Sequence, residues 1–181
     1  MIRPLVPMLI ALSLFSTGVL ATDGFWQTPT IVGAGKIHPM PQAAYQPDPQ
    51  ATYKVVFSLS KAGTKPGDLS PSLDHVARAV NLYVNAGVPL SHLKFVAIAA
   101  GPATPIVLND DQYRSKYGVA NPNLPVIAQL RKAGVDVAVC AQAVAEHNFH
   151  YDWVDPQVTV ALSGLTTVID LQQQGYALSP Q

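Results

Sequence analysis

The sequence predicts an α/β domain with a parallel sheet and helices on both of its faces. Three observations carry this. Short β-branched and aromatic runs alternate with segments whose apolar residues recur at three- and four-residue spacing. The helical segments are long enough to serve as right-handed crossovers between parallel strands. The one cysteine, Cys140, falls on the last position of a strand or just beyond it, at the strand end where sheets of this kind keep their working sites.

The elements follow in order. Tyr53–Leu59 (YKVVFSL) is β-branched and aromatic and reads as a buried strand. Lys61–Pro71 is a loop of Gly, Pro, Lys and Ser. Ser72–Ala86 is a helix, because Leu73, Val76, Ala77, Val80 and Val84 form one apolar stripe. Ser70 or Ser72 can cap its start, Pro71 is tolerated in the first turn, and Gly87 can end it. Leu93–Ala99 (LKFVAIA) is a second strand, closed by Gly101-Pro102. A Pro-rich loop leads to a short polar helix, Asp110–Tyr117. Asn123–Ala133 is a further helix, with Asn123 as a candidate cap, Leu124, Ile127 and Leu130 inward, and Gly134 as its stop. Val135–Val139 is a third strand, and Ala141–His147 begins a helix at once. Val158–Leu162 is a fourth strand, and Ser163 caps a last helix that ends near Gly175.

Ahead of this body lie two segments of different character. Met1-Ile2-Arg3 gives a positive start, Leu5–Phe15 is apolar apart from Ser13, and small residues precede Ala21. That is the order of a secretory signal over residues 1–21 with cleavage after Ala21, and the apolar run falls short of the roughly 20 residues of a membrane span. Residues 22–51 carry Pro29, Pro39, Pro41, Pro47 and Pro49 with Gly24, Gly33 and Gly35, and read as an extended arm. Its apolar residues Phe25, Trp26, Ile31 and Val32 are available to pack on the body or on a neighbouring subunit. Residues 52–181 form the single domain, in a periplasmic or secreted protein with no stable membrane span after signal cleavage.

Charge excludes one class of partner. The chain has 11 basic and 11 acidic residues, and loss of Arg3 with the signal leaves no basic excess to neutralise phosphates. Nucleic acid is therefore not an expected partner. Charged residues make up only 12 % of the chain against 49 % hydrophobic, which fits either burial between subunits or a large ordinary core.

The candidate chemistry centres on Cys140. A lone thiol cannot form an internal disulfide, so in an oxidising compartment it is buried, capped, metal-bound, paired between chains or used. Free N–H groups at a helix start favour a thiolate, although free cysteines are also among the most buried and inert residues. His75, in the first turn of its helix with Asp74 beside it, is placed at the same end of the sheet and is a candidate orienting or acid/base group. His147 lies about two helical turns beyond Cys140, some 10 Å along the axis, too far for a shared ligand shell. His147 with His150, and His38 with Met40 in the arm, are incomplete as metal sites. No metal or cofactor is expected: the Gly101–Pro105 segment is placed to shape a pocket but lacks phosphate-loop spacing, and Gly33-Ala34-Gly35 is too short and too early. Tyr113 and Tyr117 share a helix face as ordinary packing.

Four stretches together resemble exported members of the DsrE-like (DsrE/DsrF-like sulfur-relay) family. They are Tyr53–Phe57, Leu73–Tyr83, Gly101-Pro102-Ala103, and Val137-Ala138-Val139-Cys140-Ala141-Gln142. The resemblance covers about residues 52–178. It implies a three-layer α/β/α sandwich with a mostly parallel sheet of about five strands, assembled as a trimer or hexamer. It also implies a sulfur donor or acceptor protein as partner, since relatives accept sulfur as a persulfide on a cysteine at the position of Cys140. Ala100 stands where relatives often carry a histidine, and export removes the chain from the usual cytoplasmic donors. Three functions therefore stay open: sulfur carriage on Cys140, a non-catalytic oligomeric envelope protein that binds a small ligand or metal, or a purely structural oligomer with a buried, silent thiol. Solvent access separates the first from the other two, since an exposed thiol in a cleft keeps it and a buried one removes it.

Overall fold

The computed structural model describes residues 25–181; the expected signal at residues 1–21 lies outside them. Ten regular elements run in order. They are β1 (Tyr53–Leu59), α1 (Pro71–Asn85), β2 (Leu93–Ala99), α2 (Asp110–Tyr117), α3 (Leu124–Lys132), β3 (Asp136–Cys140), α4 (Ala141–Glu146), β4 (Thr159–Ala161), α5 (Gly164–Gln173) and β5 (Ala177–Pro180). The strands form one all-parallel sheet in the order β4-β3-β2-β1-β5.

This order decides which helix covers which face. From β1 to β4 the chain steps in one direction across the sheet, so right-handed crossovers put α1, α3 and α4 on the same side. The step from β4 back to β5 runs the other way and carries α5 to the opposite side. The burial pattern agrees. Leu73, Val76, Ala77 and Val80 of α1 and Ile127 and Leu130 of α3 pack with Phe57, Phe95, Val137 and Val139 in a large core. The other side is thin: Val56, Ile98 and Ala138 are buried there, with Val168 and Leu171 of α5 against them. One ten-residue helix cannot cover five strands, and this shortage leaves a cleft at its amino-terminal end.

Caps and ties follow the sequence in most places. Ser70 caps α1, its Oγ accepting the Leu73 N–H at 3.2 Å, while Ser72 Oγ accepts the Lys61 N–H. Asn123 makes no side-chain cap on α3. Its Oδ1 accepts the Ser70 N–H, and its Nδ2 donates to Asn121, so it ties two loops instead. The Pro-rich stretch after β2 is a 3₁₀ segment over Gly101–Val107. The fifth strand, β5, pairs with β1 from Val55↔Ala177 to Ser58↔Pro180 and takes the sheet edge, where a proline is tolerated.

Residues 25–51 fold back rather than run extended. An antiparallel bridge joins Gln27 to Ile37, and Ile31, Ala34 and Ile37 are buried. The buried amide of Asn81 holds this loop on α1: Oδ1 accepts the N–H of Thr30 and Ile31, and Nδ2 donates to the carbonyls of Ala34 and Gly35. Gly35 has φ +63°, and a Cβ there would lie 2.1 Å from the Arg78 nitrogen, so only glycine lets the loop meet the helix backbone. Of the apolar residues expected to pack, Ile31 does so, while Phe25, Trp26 and Val32 stay exposed. No helix among the described residues is long and apolar enough to cross a membrane.

Candidate functional site

Cys140 ends β3 and also caps α4. In a strand successive side chains alternate faces. Val137 and Val139 point into the large core, so Ala138 and Cys140 point to the α5 side. The Cys140 Sγ accepts the Ala143 N–H at 3.4 Å. The residue is 6 % exposed, yet its side chain forms part of the wall of a cleft of about 570 Å³. Cys140 is thus buried, which by the exposure criterion counts against sulfur carriage, yet it borders the cleft instead of lying within the large core. That volume lies within the roughly 300–1,000 Å³ of small-ligand pockets.

Four strand ends build the cleft, with Ser58 coming from β1. From β2 come Ala100 and Gly101, from β3 comes Cys140 with the first turn of α4, and beyond β4 come Ser163 and Gly164. Gly101 has φ +51°, and its carbonyl accepts from Thr104 Oγ1 at 2.8 Å and from His147 Nε2 at 2.9 Å. Gln142 Nε2 donates to the Leu162 carbonyl, lacing α4 to the segment before α5. Ser163 caps α5, its Oγ accepting the Leu165 N–H at 3.1 Å. Leu165, Val168, Ile169 and Gln172 of α5 complete the far wall, and Glu146 is the one charged residue in the lining.

The other candidates are placed apart. His75 does reach the carboxyl end of the sheet. It sits on α1, on the opposite side from Cys140, with Nδ1 2.7 Å from Gln181 Oε1, and it does not line the cleft. Asp74 accepts the Gly35 N–H and pairs with Arg78, so it serves the amino-terminal loop. His147 is the C-cap of α4 and braces Gly101 from behind the cleft, its ring stacked on Phe149. His150 packs on Trp153. His38 donates from Nδ1 to the Phe25 carbonyl and stacks on the Phe25 ring. With Met40 it lines a larger hollow of about 730 Å³ that holds no cysteine or carboxylate. Among the described residues no three His, Cys, Asp or Glu side chains gather to hold a metal. Burial, and then the neighbouring ring of Tyr117, push the Tyr113 hydroxyl above its ordinary value; its proton goes to the Pro66 carbonyl.

The cleft residues that sequence reasoning missed are Gly164, Glu146 and the α5 wall. A signal existed for Gly164: it follows the strand beside β3, where ligands of parallel sheets gather.

Comparison with known proteins places the whole. No match is found among curated proteins. Among solved structures, a protein of unknown function from Methanobacterium thermoautotrophicum superposes with a TM-score of 0.50 at 17 % identity, over 71 % of this chain and 99 % of the other, which is a likeness of fold. The DsrE/DsrF-like family model matches residues 53–179. With that match over nearly all of the sheet and over its helices, the chain belongs to the DsrE/DsrF-like family.

Proposed function

We propose that this chain is an exported sulfur carrier that accepts sulfane sulfur as a persulfide on Cys140. The observation that carries the reading is the placement of the thiol at a strand end, in the wall of a cleft bounded by Gly101 and Gly164. The family's association with sulfur relay supports it. In the reaction the Cys140 thiolate attacks the outer sulfur of a donor persulfide, R–S–SH. The donor S–S bond breaks, a new S–S bond forms on Cys140, and R–S⁻ leaves, with no net oxidation or reduction.

Export and assembly belong to the same proposal. The signal at residues 1–21 predicts a mature protein beginning at Thr22, which amino-terminal sequencing reads directly. Leu162 and Val160, outside the cleft lining, are 73 % and 44 % exposed, which supports a covered apolar face in a trimer or hexamer, read by sedimentation.

The test of sulfur carriage is intact mass after exposure to a low-molecular-weight persulfide. A gain of one sulfur, about 32 Da, is expected on the native protein and not on Cys140→Ser. The low exposure of Cys140 favours a second reading, a non-catalytic binding module with a silent thiol; no mass gain on the native protein would select it.

A further inference from the structure

The cleft states what kind of donor it accepts. Its lining is apolar on the Ile98, Ala100 and α5 sides, and its polar groups are the neutral amides of Gln142 and Gln172 and the hydroxyls of Ser58 and Ser163. Among the described residues no Lys, Arg or His lines it, and Glu146 is its one charge. His147, which braces the lining residue Gly101, spends its Nε2–H on the Gly101 carbonyl and is not itself in the lining. A sulfur oxyanion or a carboxylated thiol entering this space would lose hydration, meet no cation to replace it, and face the Glu146 carboxylate. An uncharged aliphatic carrier would keep its desolvation cost low and lie against Leu165, Val168 and Ile169.

We infer that the cleft selects an organic persulfide whose carrier group is uncharged and aliphatic as the sulfur donor to Cys140, and discriminates through Glu146 against carriers that bear an anionic group. This rests on the sulfur-carrier reading. The transfer balances as before: the outer sulfur of the donor moves to the Cys140 thiolate, and the donor leaves as its thiolate.

A matched pair of donors isolates the charge. The persulfides of N-acetylcysteine and of its methyl ester differ by one carboxylate. Each loading rate at Cys140 is divided by the rate of the same donor with a short cysteine peptide, which removes intrinsic reactivity. The ester is expected to load about fivefold faster than the acid after this correction, the size of one close like-charge encounter with a solvent-exposed carboxylate. Glu146→Gln, an exposed helix position that preserves the side-chain shape, is expected to narrow the gap about twofold or more by raising the acid rate alone. Equal corrected rates for the two donors, or no response to Glu146→Gln, would overturn the selectivity and leave sulfur carriage standing. Failure of both donors to load would overturn carriage itself, and the selectivity with it.

Discussion

Gly164 faces Cys140 across the cleft so closely that a Cβ built on it would lie 3.6 Å from the Cys140 Cβ and 4.0 Å from the Sγ, with the Ala100 Cβ at 3.5 Å. These are ordinary contact distances, so the backbone leaves room for a methyl group there. A larger side chain at this position would press against the thiol from the cleft side.

Gly164→Ala should therefore fold normally, and Gly164→Val should also fold but close the approach to the sulfur. Reaction of Cys140 with a small thiol reagent is expected to slow about tenfold or more in the valine variant, in line with the cost of one or two misplaced methyl groups in a tight pocket. Parallel thermal melts separate blockage from unfolding. An unchanged rate in folded Gly164→Val would show that reagents reach Cys140 by another route.

The amino-terminal loop depends on Asn81 in the same local way. Its amide satisfies backbone groups of Thr30, Ile31, Ala34 and Gly35 that are otherwise enclosed against α1. Asn81→Ala is expected to cost about 2–3 kcal/mol in urea unfolding, because buried donors and acceptors lose their partners. Limited proteolysis should then cut between residues 25 and 51 before the sheet is attacked. Equal resistance in the variant would mean that Ile31, Ala34 and Ile37 hold the loop unaided.

Asp110 gives a dependence on pH with a definite sign. The Asn121 N–H first, and then the Arg114 guanidinium, favour its charged form and hold the carboxyl below its ordinary value. A depressed folded value gives a contribution that is complete above the ordinary carboxylate range and is lost as pH falls through the folded value. The effect is small because the side chain is solvent-exposed. Asp110→Asn should slightly lower the neutral plateau of stability and flatten the acid limb below about pH 4, as read from urea melts at a series of pH values.

Particular residues show what was legible in the sequence. The α1 stripe, the β1 and β2 runs and the placement of Cys140 at the end of β3 all follow from periodicity and composition, because local packing and local chemistry agree there. The segment β5 carries no strand signal: Ala177-Leu178-Ser179-Pro180 is short, without β-branched residues and proline-ended, and only its pairing with β1 makes it a strand. The role of Gly101 as a pocket former was legible, since it opens the Pro-rich loop one residue beyond the end of a parallel strand. The wall opposite Cys140 was not. Gly164 and Glu146 carry no motif, and what brings them together is the crossover from β4 back across the sheet. His75 illustrates the converse: its place at the strand ends was readable, but its side of the sheet depends on the hand of the crossover.

The most direct test of the account is the reaction of Cys140 in the folded protein with methyl methanethiosulfonate, a small neutral reagent, beside a maleimide carrying a bulky polymer. The cleft geometry predicts that the small reagent modifies Cys140 fully under native conditions while the bulky one reacts only after denaturation. Resistance to both until the protein unfolds would contradict the account, since it would make Cys140 a core residue with no path to a sulfur donor.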